Sequence, residues 1–239
     1  MKAIILSAGK GERLGQITQT LPKTMINVNG KPILQHNIEL CKKYGITDIY
    51  INLHHLASII TNHFANGENL GVRINYTMEE TLMGTSGAVK NMAKQYPGFD
   101  QEPFFIIYGD NYSGYDLNTL IAKSKETDPI ASIAFHYRED VSTSGVAEFD
   151  KQGKVLSFIE KPKPGETTSH WVNAGIYYVD PSILDYIPDG YSDFAKDIFP
   201  ELLKKNIPLY GVCENTQVRA FDTPEMLKKN INNANQEGK

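Results

Sequence analysis

Through its first half the chain alternates short apolar, β-branched runs with segments of helical period. The runs are "AIIL" at 3–6, "DIYINL" at 48–53, "VRINY" at 72–76 and "PFFIIYGD" at 103–110. Between them lie "PILQHNIELCKKY", "LASIITNHF" and "SGAVKNMAKQY". This is a βαβ rhythm, and it implies a mostly parallel sheet covered by helices on both faces, with ligands held beyond the carboxyl ends of the strands. The fold class expected is α/β, a Rossmann-like three-layer αβα sandwich with a mostly parallel central sheet. After about Asp128 the signals become strand and turn: "ASIAFHYR", "GVAEFDKQGKVLSFIEKP" and "WVNAGIYYVD", with "DKQGK" as a hairpin turn. A β-rich lid is therefore expected in the second half. "SDFAKDIFPELLKK" carries a helical stripe at Phe194, Ile198, Leu202 and Leu203 with Ser192 or Asp193 as its cap, and "DTPEMLKKNINNAN" opens a last helix with Pro224 in its first turn. No repeat or linker interrupts residues 1–239, so a single domain is expected, ending in a frayed polar tail at 232–239.

Charge and cysteine usage narrow the function classes. The net charge of -4 gives no excess of Lys and Arg for a polyanion, so nucleic acid is not an expected partner and any phosphate site must be local. Cys41 and Cys213 are far apart without a C-x-x-C spacing, which reads as two buried free thiols in a reducing compartment. The first apolar run is only a strand's length, and no run reaches the roughly 18 apolar residues of a membrane span. A cytoplasmic protein with no membrane association is expected, and a homo-oligomer stays open. The six histidines have no metal-like spacing. His36 reads as a structural, hydrogen-bonded side chain, while His54 and His55 end a strand and either line a site or face solvent. Trp171 reads as an aromatic wall of the β-rich part.

The first strand runs into "SAGKGERLG" at 7–15, a glycine-rich, basic loop. Such a loop suits phosphate, because glycines let backbone N–H groups approach an anion and Lys10 and Arg13 add charge. It is not a Walker A loop, for no Gly-Lys-Ser/Thr stands at the required distance. Nor is it the dinucleotide G-x-G-x-x-G, whose third glycine would fall on Leu14, one residue before Gly15. An open loop that wraps a triphosphate fits better. Asp110 ends an apolar strand and so delivers a carboxylate to the same sheet edge.

Six elements in order, "GKGERL", "PKTM", "GKPIL", "GTSGAVKNM", "GDN" and the pair "GVAEFDKQGKVLSFIEKP" and "VNAGIYYVDPSIL", resemble the sugar-1-phosphate nucleotidyltransferases over nearly the whole chain. The resemblance implies an Mg2+-dependent transfer in which an acceptor phosphate oxygen attacks the α-phosphorus of a nucleoside triphosphate and pyrophosphate leaves. It makes residues 1–128 a nucleotide-binding half, 129–222 an acceptor-binding β-rich half and 223–239 a C-terminal helix and tail. It implies catalytic roles for Arg13 and Lys23, on the outer phosphates and the α-phosphate. Ala8, Gly9, Lys10, Gly11, Glu80, Gly84 and Thr85 would bind nucleotide, with Glu79 or Glu80 accepting from guanine if the base is guanine; uracil, thymine and cytosine stay open. Gly145, Glu160, Lys161 and Asn173 would bind the acceptor, a sugar 1-phosphate. Asp110 would hold Mg2+.

One element departs from the family. Its usual D-I-G-T-P-E is "RAFDTPE" here, which puts the family aspartate on Ala220 and its glycine on Asp222. Asp222 either reaches the metal through a shortened turn or caps the last helix. The product implied is a nucleotide sugar for surface polysaccharide or glycoconjugate synthesis. Two other readings stand beside it: transfer to a non-sugar phosphorylated acceptor such as a phosphocholine-like alcohol, and a noncatalytic nucleotide-sensing homologue.

Overall fold

The computed structural model describes residues 1–237, with side chains to Ile231. It is an α/β fold with a mostly parallel central sheet flanked by helices and extended by antiparallel strands, as the βαβ rhythm predicts. Packing density divides the chain into two compact bodies interleaved in sequence. The first holds residues 1–82, 107–114 and the chain from Val218 on; the second holds 83–106 and 115–217. Neither coincides with a division at residue 128.

In the first body Asp48–Leu53 lies between Lys2–Leu6 and Arg73–Met78, all parallel, with Leu6 opposite Asn52 and Asn52 opposite Thr77. The inner strands are buried along their length: Ala3, Ile4, Ile5, Ile49 and Ile51 have no exposed surface. Continuous apolar runs, rather than alternation, suit strands covered on both faces. The helix Ile33–Lys43 begins directly after Pro32 and buries Ile33, Leu34, Ile38 and Cys41. Burial of the Cys41 thiol pushes its pKa up to about 12, which makes it an inert core residue.

A second cluster, Leu14, Ile26, Val28, Ile33 and Phe221 with Leu21, Tyr112, Leu227 and Ile231, joins the chain after the glycine loop to the last helix, Pro224–Glu237. Full burial of Phe221 alone is worth about 2–3 kcal/mol, which fixes the residue just before Asp222. Two three-residue strands, Asn111–Ser113 and Val218–Ala220, pair antiparallel with Ala220 opposite Asn111. The last helix runs through most of the tail expected to fray; Gly238 and Lys239 lie outside the described residues.

In the second body Trp171–Val179 pairs antiparallel with Ala131–Tyr137, and Leu209–Glu214 runs parallel to that strand on its other side. Gly145–Phe149 and Val155–Glu160 form the expected hairpin, whose turn is held by the Asp150 carboxylate accepting from the N–H groups of Gln152 and Lys154. Trp171 is half-buried and meets Tyr137 edge-on at 6.1 Å, a wall as expected.

Two features differ from expectation, the first for a local physical reason. The helix expected from Phe194 starts as a π-turn, Phe194–Ile198, before the α-helix Phe199–Lys204. Pro200 has no N–H to return to the Lys196 carbonyl, so the regular ladder cannot pass through it. Of the two expected caps Asp193 is the one used, accepting from Ala195 and Lys196. Cys213 is exposed instead of buried. Among the described residues no helix is long and apolar enough to cross a membrane.

Candidate active site

The first strand ends at Leu6, and the glycine loop that follows folds back on itself. Thr18, buried, donates through Oγ1 to the Gly11 carbonyl at 3.0 Å, and its own carbonyl accepts from His55 Nε2 at 2.9 Å. Gly11 has φ +64°, and a Cβ there would lie 2.9 Å from Thr18 Cγ2 and 3.2 Å from Lys23 Cβ. Only glycine lets the loop close on the stem of Lys23. Ala8 is buried, whereas Gly9 and Lys10 are exposed at the turn of the loop. Arg13 projects from the short 3₁₀ turn Glu12–Leu14, its side chain 61% exposed.

Lys23 lies in a second 3₁₀ turn, Lys23–Met25, with its neighbours Thr24 and Met25 buried. Its ammonium donates to Asp110 Oδ2 at 2.5 Å and to Asp222 Oδ1. Arg13 Nη2 lies 3.1 Å from the same Asp222 oxygen. Burial works against the Lys23 charge, but the two carboxylates outweigh it and hold its pKa above the usual lysine value. Two cations and two carboxylates thus form one charge-balanced cluster.

Separate elements deliver the carboxylates. Gly109 N–H donates to the Leu6 carbonyl at 2.9 Å, and Asn37 from the helix Ile33–Lys43 donates to the Gly109 and Asn111 carbonyls, so Asp110 is fixed between two anchored residues. Asp222 follows the strand Val218–Ala220, whose pairing opposite Asn111 carries the chain back toward Asp110. The last helix has its own cap: Thr223 Oγ1 accepts from Met226 N–H at 3.2 Å. Asp222 faces Lys23 and Arg13.

Of the remaining nucleotide candidates, Glu80 is exposed, while the Glu79 carboxylate is buried and accepts from Asn52 Nδ2 at 2.7 Å. His54 hydrogen-bonds the Glu79 carbonyl through Nδ1, and His36 bonds the Val28 carbonyl through Nε2 at 2.7 Å, both as structural side chains. Gly84 and Thr85 fall in the second body, at the start of the helix Gly84–Gln95. The amides of Ser86 and Gly87 there donate to the Ser192 carbonyl, and Thr85 Oγ1 donates to Asp193 at 2.9 Å. A Cβ on Gly84 would lie 2.2 Å from the Ser192 carbonyl oxygen, so this glycine is required by packing.

The four acceptor candidates are also in the second body. Gly145 is register partner to Glu160, and a Cβ on it would lie 2.7 Å from the Phe158 ring and 2.9 Å from Glu160 Oε2. Burial raises the Glu160 pKa, with Lys161 opposing and Asp193 adding to the shift. Lys161 is exposed, its backbone in the left-handed region at φ +54° with its N–H on the Ser144 carbonyl. Asn173 marks the shift in strand register, accepting from Gly175 N–H and donating to the Tyr177 hydroxyl at 2.7 Å. The structure thus gathers Arg13, Lys23, Asp110 and Asp222 into one cluster, and Gly145 with Glu160 into another. Sequence reasoning missed Asn52 and Thr18, whose roles arise only from side-chain hydrogen bonds across the fold.

Relatives carry the same architecture. The chain is 38% identical to a UTP–glucose-1-phosphate uridylyltransferase of Synechocystis sp. over 89% of this chain and 58% of that protein. It is 32% identical to a mannose-1-phosphate guanyltransferase of Debaryomyces hansenii over 88% of this chain and 58% of the relative. It therefore spans little more than half the length of these relatives. The solved structure of HddC from Yersinia pseudotuberculosis in complex with GMP-PN superposes with a TM-score of 0.80 at 25% identity, over 97% of this chain and 98% of that one. The nucleotidyl transferase family model matches residues 2–218, a span that takes in the glycine loop, Lys23 and Asp110, and the chain belongs to that family.

Proposed function

We propose that this protein transfers a nucleotidyl group from a nucleoside triphosphate to a sugar 1-phosphate, releasing pyrophosphate and forming a nucleotide sugar. The observation that carries the reading is the meeting of Asp110 and Asp222 on the Lys23 ammonium beside the glycine loop. Transfer of this kind asks the protein for positioning and charge neutralisation more than for covalent chemistry. The open turn at Gly9–Gly11 and the exposed guanidinium of Arg13 suit the outer phosphates of the triphosphate. Lys23, clasped by two carboxylates, is an orientable cation for the α-phosphate oxygens, where negative charge builds up. Glu160, Lys161, Asn173 and Gly145 are the acceptor residues in this reading, with Lys161 paired to the sugar phosphate.

The donor set fits Mg2+. Two carboxylates that already meet on one cation match the one or two that such an ion takes from protein, the rest of its shell being phosphate oxygens and water. Asp110 and Asp222 would hold it, and when bound it would neutralise phosphate charge. Relatives with uridylyl and guanylyl transfer in their names give support for the reaction class and divide on the base. The product would feed glycoconjugate or polysaccharide assembly.

The test is a panel of UTP, GTP, dTTP and CTP against several sugar 1-phosphates with Mg2+, reading pyrophosphate release. Lys23→Ala is expected to lower turnover by a factor on the order of a hundred or more while nucleotide affinity changes less. A chain that releases no pyrophosphate with any pair, or a Lys23→Ala variant with normal turnover, would overturn the proposal.

A further inference from the structure

Three parallel strands of the first body end side by side, and Asn52, on the middle one, reaches to both neighbours. Past the end of Lys2–Leu6 the next residue is Ser7; past the end of Arg73–Met78 it is Glu79. Ser7, Asn52 and Glu79 are 4%, 3% and 3% exposed. The Ser7 N–H can only donate, so the amide oxygen of Asn52 faces it, at 2.7 Å. That leaves the Asn52 amide nitrogen for Glu79 Oε1, also at 2.7 Å. An apolar side chain at 52 would strand the Ser7 backbone donor in the interior and take one donor away from a buried carboxylate, which argues that this polar brace is there for a reason other than packing.

Ser7 is where the brace meets the site. The glycine loop leaves from it through Ala8 and Gly9. Leu6 and Ser7 are also the seat of the Asp110 turn: Gly109 N–H bonds the Leu6 carbonyl, and a Cβ on Gly109 would lie 2.6 Å from Ser7 Oγ. One backbone amide thus fixes the origin of the loop and the bed of the carboxylate. We propose that Asn52 is a positioning residue for nucleotide binding: it holds Ser7 against Glu79 and so sets the glycine loop, with Glu79 serving as an internal anchor. This rests on the nucleotidyl-transfer reading above.

The hydrogen bond can be reversed without changing net charge. Asn52→Asp keeps an acceptor for Ser7 N–H but sets two carboxylates against each other; adding Glu79→Gln restores one donor and one acceptor with the opposite polarity. Calorimetric binding of the nucleoside triphosphate that wild type takes best is measured for each folded variant, with the Michaelis constant for the acceptor and a thermal melt alongside. Asn52→Asp is expected to weaken nucleotide binding by about tenfold or more, leave the acceptor constant within about twofold, and recover to within about threefold of wild type when combined with Glu79→Gln. A folded Asn52→Asp that binds nucleotide like wild type overturns the inference and leaves the proposed function standing, as does a double variant no better than the single. If the single variant does not fold, the double decides alone: near-normal binding supports the brace, and a tenfold loss refutes it. A wild-type chain that binds no nucleoside triphosphate overturns both readings.

Discussion

Asp222→Asn and Thr223→Ala change adjacent residues and should have opposite consequences. Asp222 takes part in the charge cluster, accepting from Lys23 and lying 3.1 Å from Arg13, while Thr223 supplies the oxygen that caps the last helix. Asparagine at 222 can still accept from the Lys23 ammonium, so what is lost is charge, not the hydrogen bond. Charge-assisted bonds are about twice as strong as neutral ones, a difference on the order of 1 kcal/mol. The Asp222 side chain is 27% exposed and Arg13 more so, so solvent screens part of that difference. A stability loss of about 1 kcal/mol or less, a melting shift of roughly 2–4 °C, is expected. Activity should suffer more: removal of one ligand charge should cut turnover by a factor on the order of a hundred, about 2.7 kcal/mol, with partial recovery at raised Mg2+. Thr223→Ala should cost about 1 kcal/mol of stability through the lost cap and leave turnover within about twofold. Thermal melts and pyrophosphate-release kinetics across an Mg2+ titration separate the two. Normal turnover and Mg2+ dependence in Asp222→Asn would remove Asp222 from the proposed metal site and leave Asp110 as its one proposed carboxylate.

Other outcomes follow from single residues. Lys161→Ala should raise the Michaelis constant for the acceptor more than that for the nucleotide; equal increases would contradict the assignment of the "EKP" strand to the acceptor. Gly84→Ala should destabilise by about 2–4 kcal/mol, since the new methyl would lie 2.2 Å from the Ser192 carbonyl oxygen at φ +73°; an unchanged melting temperature would show that the helix can shift away. His136 is buried, and burial, with Arg138 adding to it, lowers its pKa from 6.5 to about 4. A base held neutral in the folded state contributes its full stability above about pH 6.5 and loses it as pH falls toward 4. At about 1.4 kcal/mol per pH unit, the loss over that window is on the order of 3 kcal/mol. Denaturant melts at pH 7 and pH 4 should show this loss in wild type and a smaller one in His136→Phe; equal losses would mean the carboxylates govern acid unfolding.

The strands and helices of the first half were legible because burial on both faces forces continuous apolar runs, and "DIYINL" matches its strand residue for residue. The hairpin at 145–160 was legible because "DKQGK" turns the chain through its own Asp150 carboxylate. Less visible were the helix Leu117–Thr127, which buries only Leu117 and Leu120 and so shows little stripe, and the strand Leu209–Glu214, whose pairing partner is more than seventy residues earlier. Arg13, Lys23 and Asp110 could be chosen from their motifs, since glycine loops and strand-end carboxylates are written locally. Asp222 could not be settled that way. As a string "DTPE" fits a cap and a metal ligand; the structure puts the cap on Thr223 and, through a three-residue strand pair, brings Asp222 to the Lys23 ammonium that Asp110 also meets. Asn52 is the same lesson in the other direction: nothing in "DIYINL" distinguishes its asparagine from a polar residue at a strand end. Its partners are 45 and 27 residues away in sequence, and only the parallel register of three strands brings a lone N–H and a buried carboxylate to the two sides of one amide.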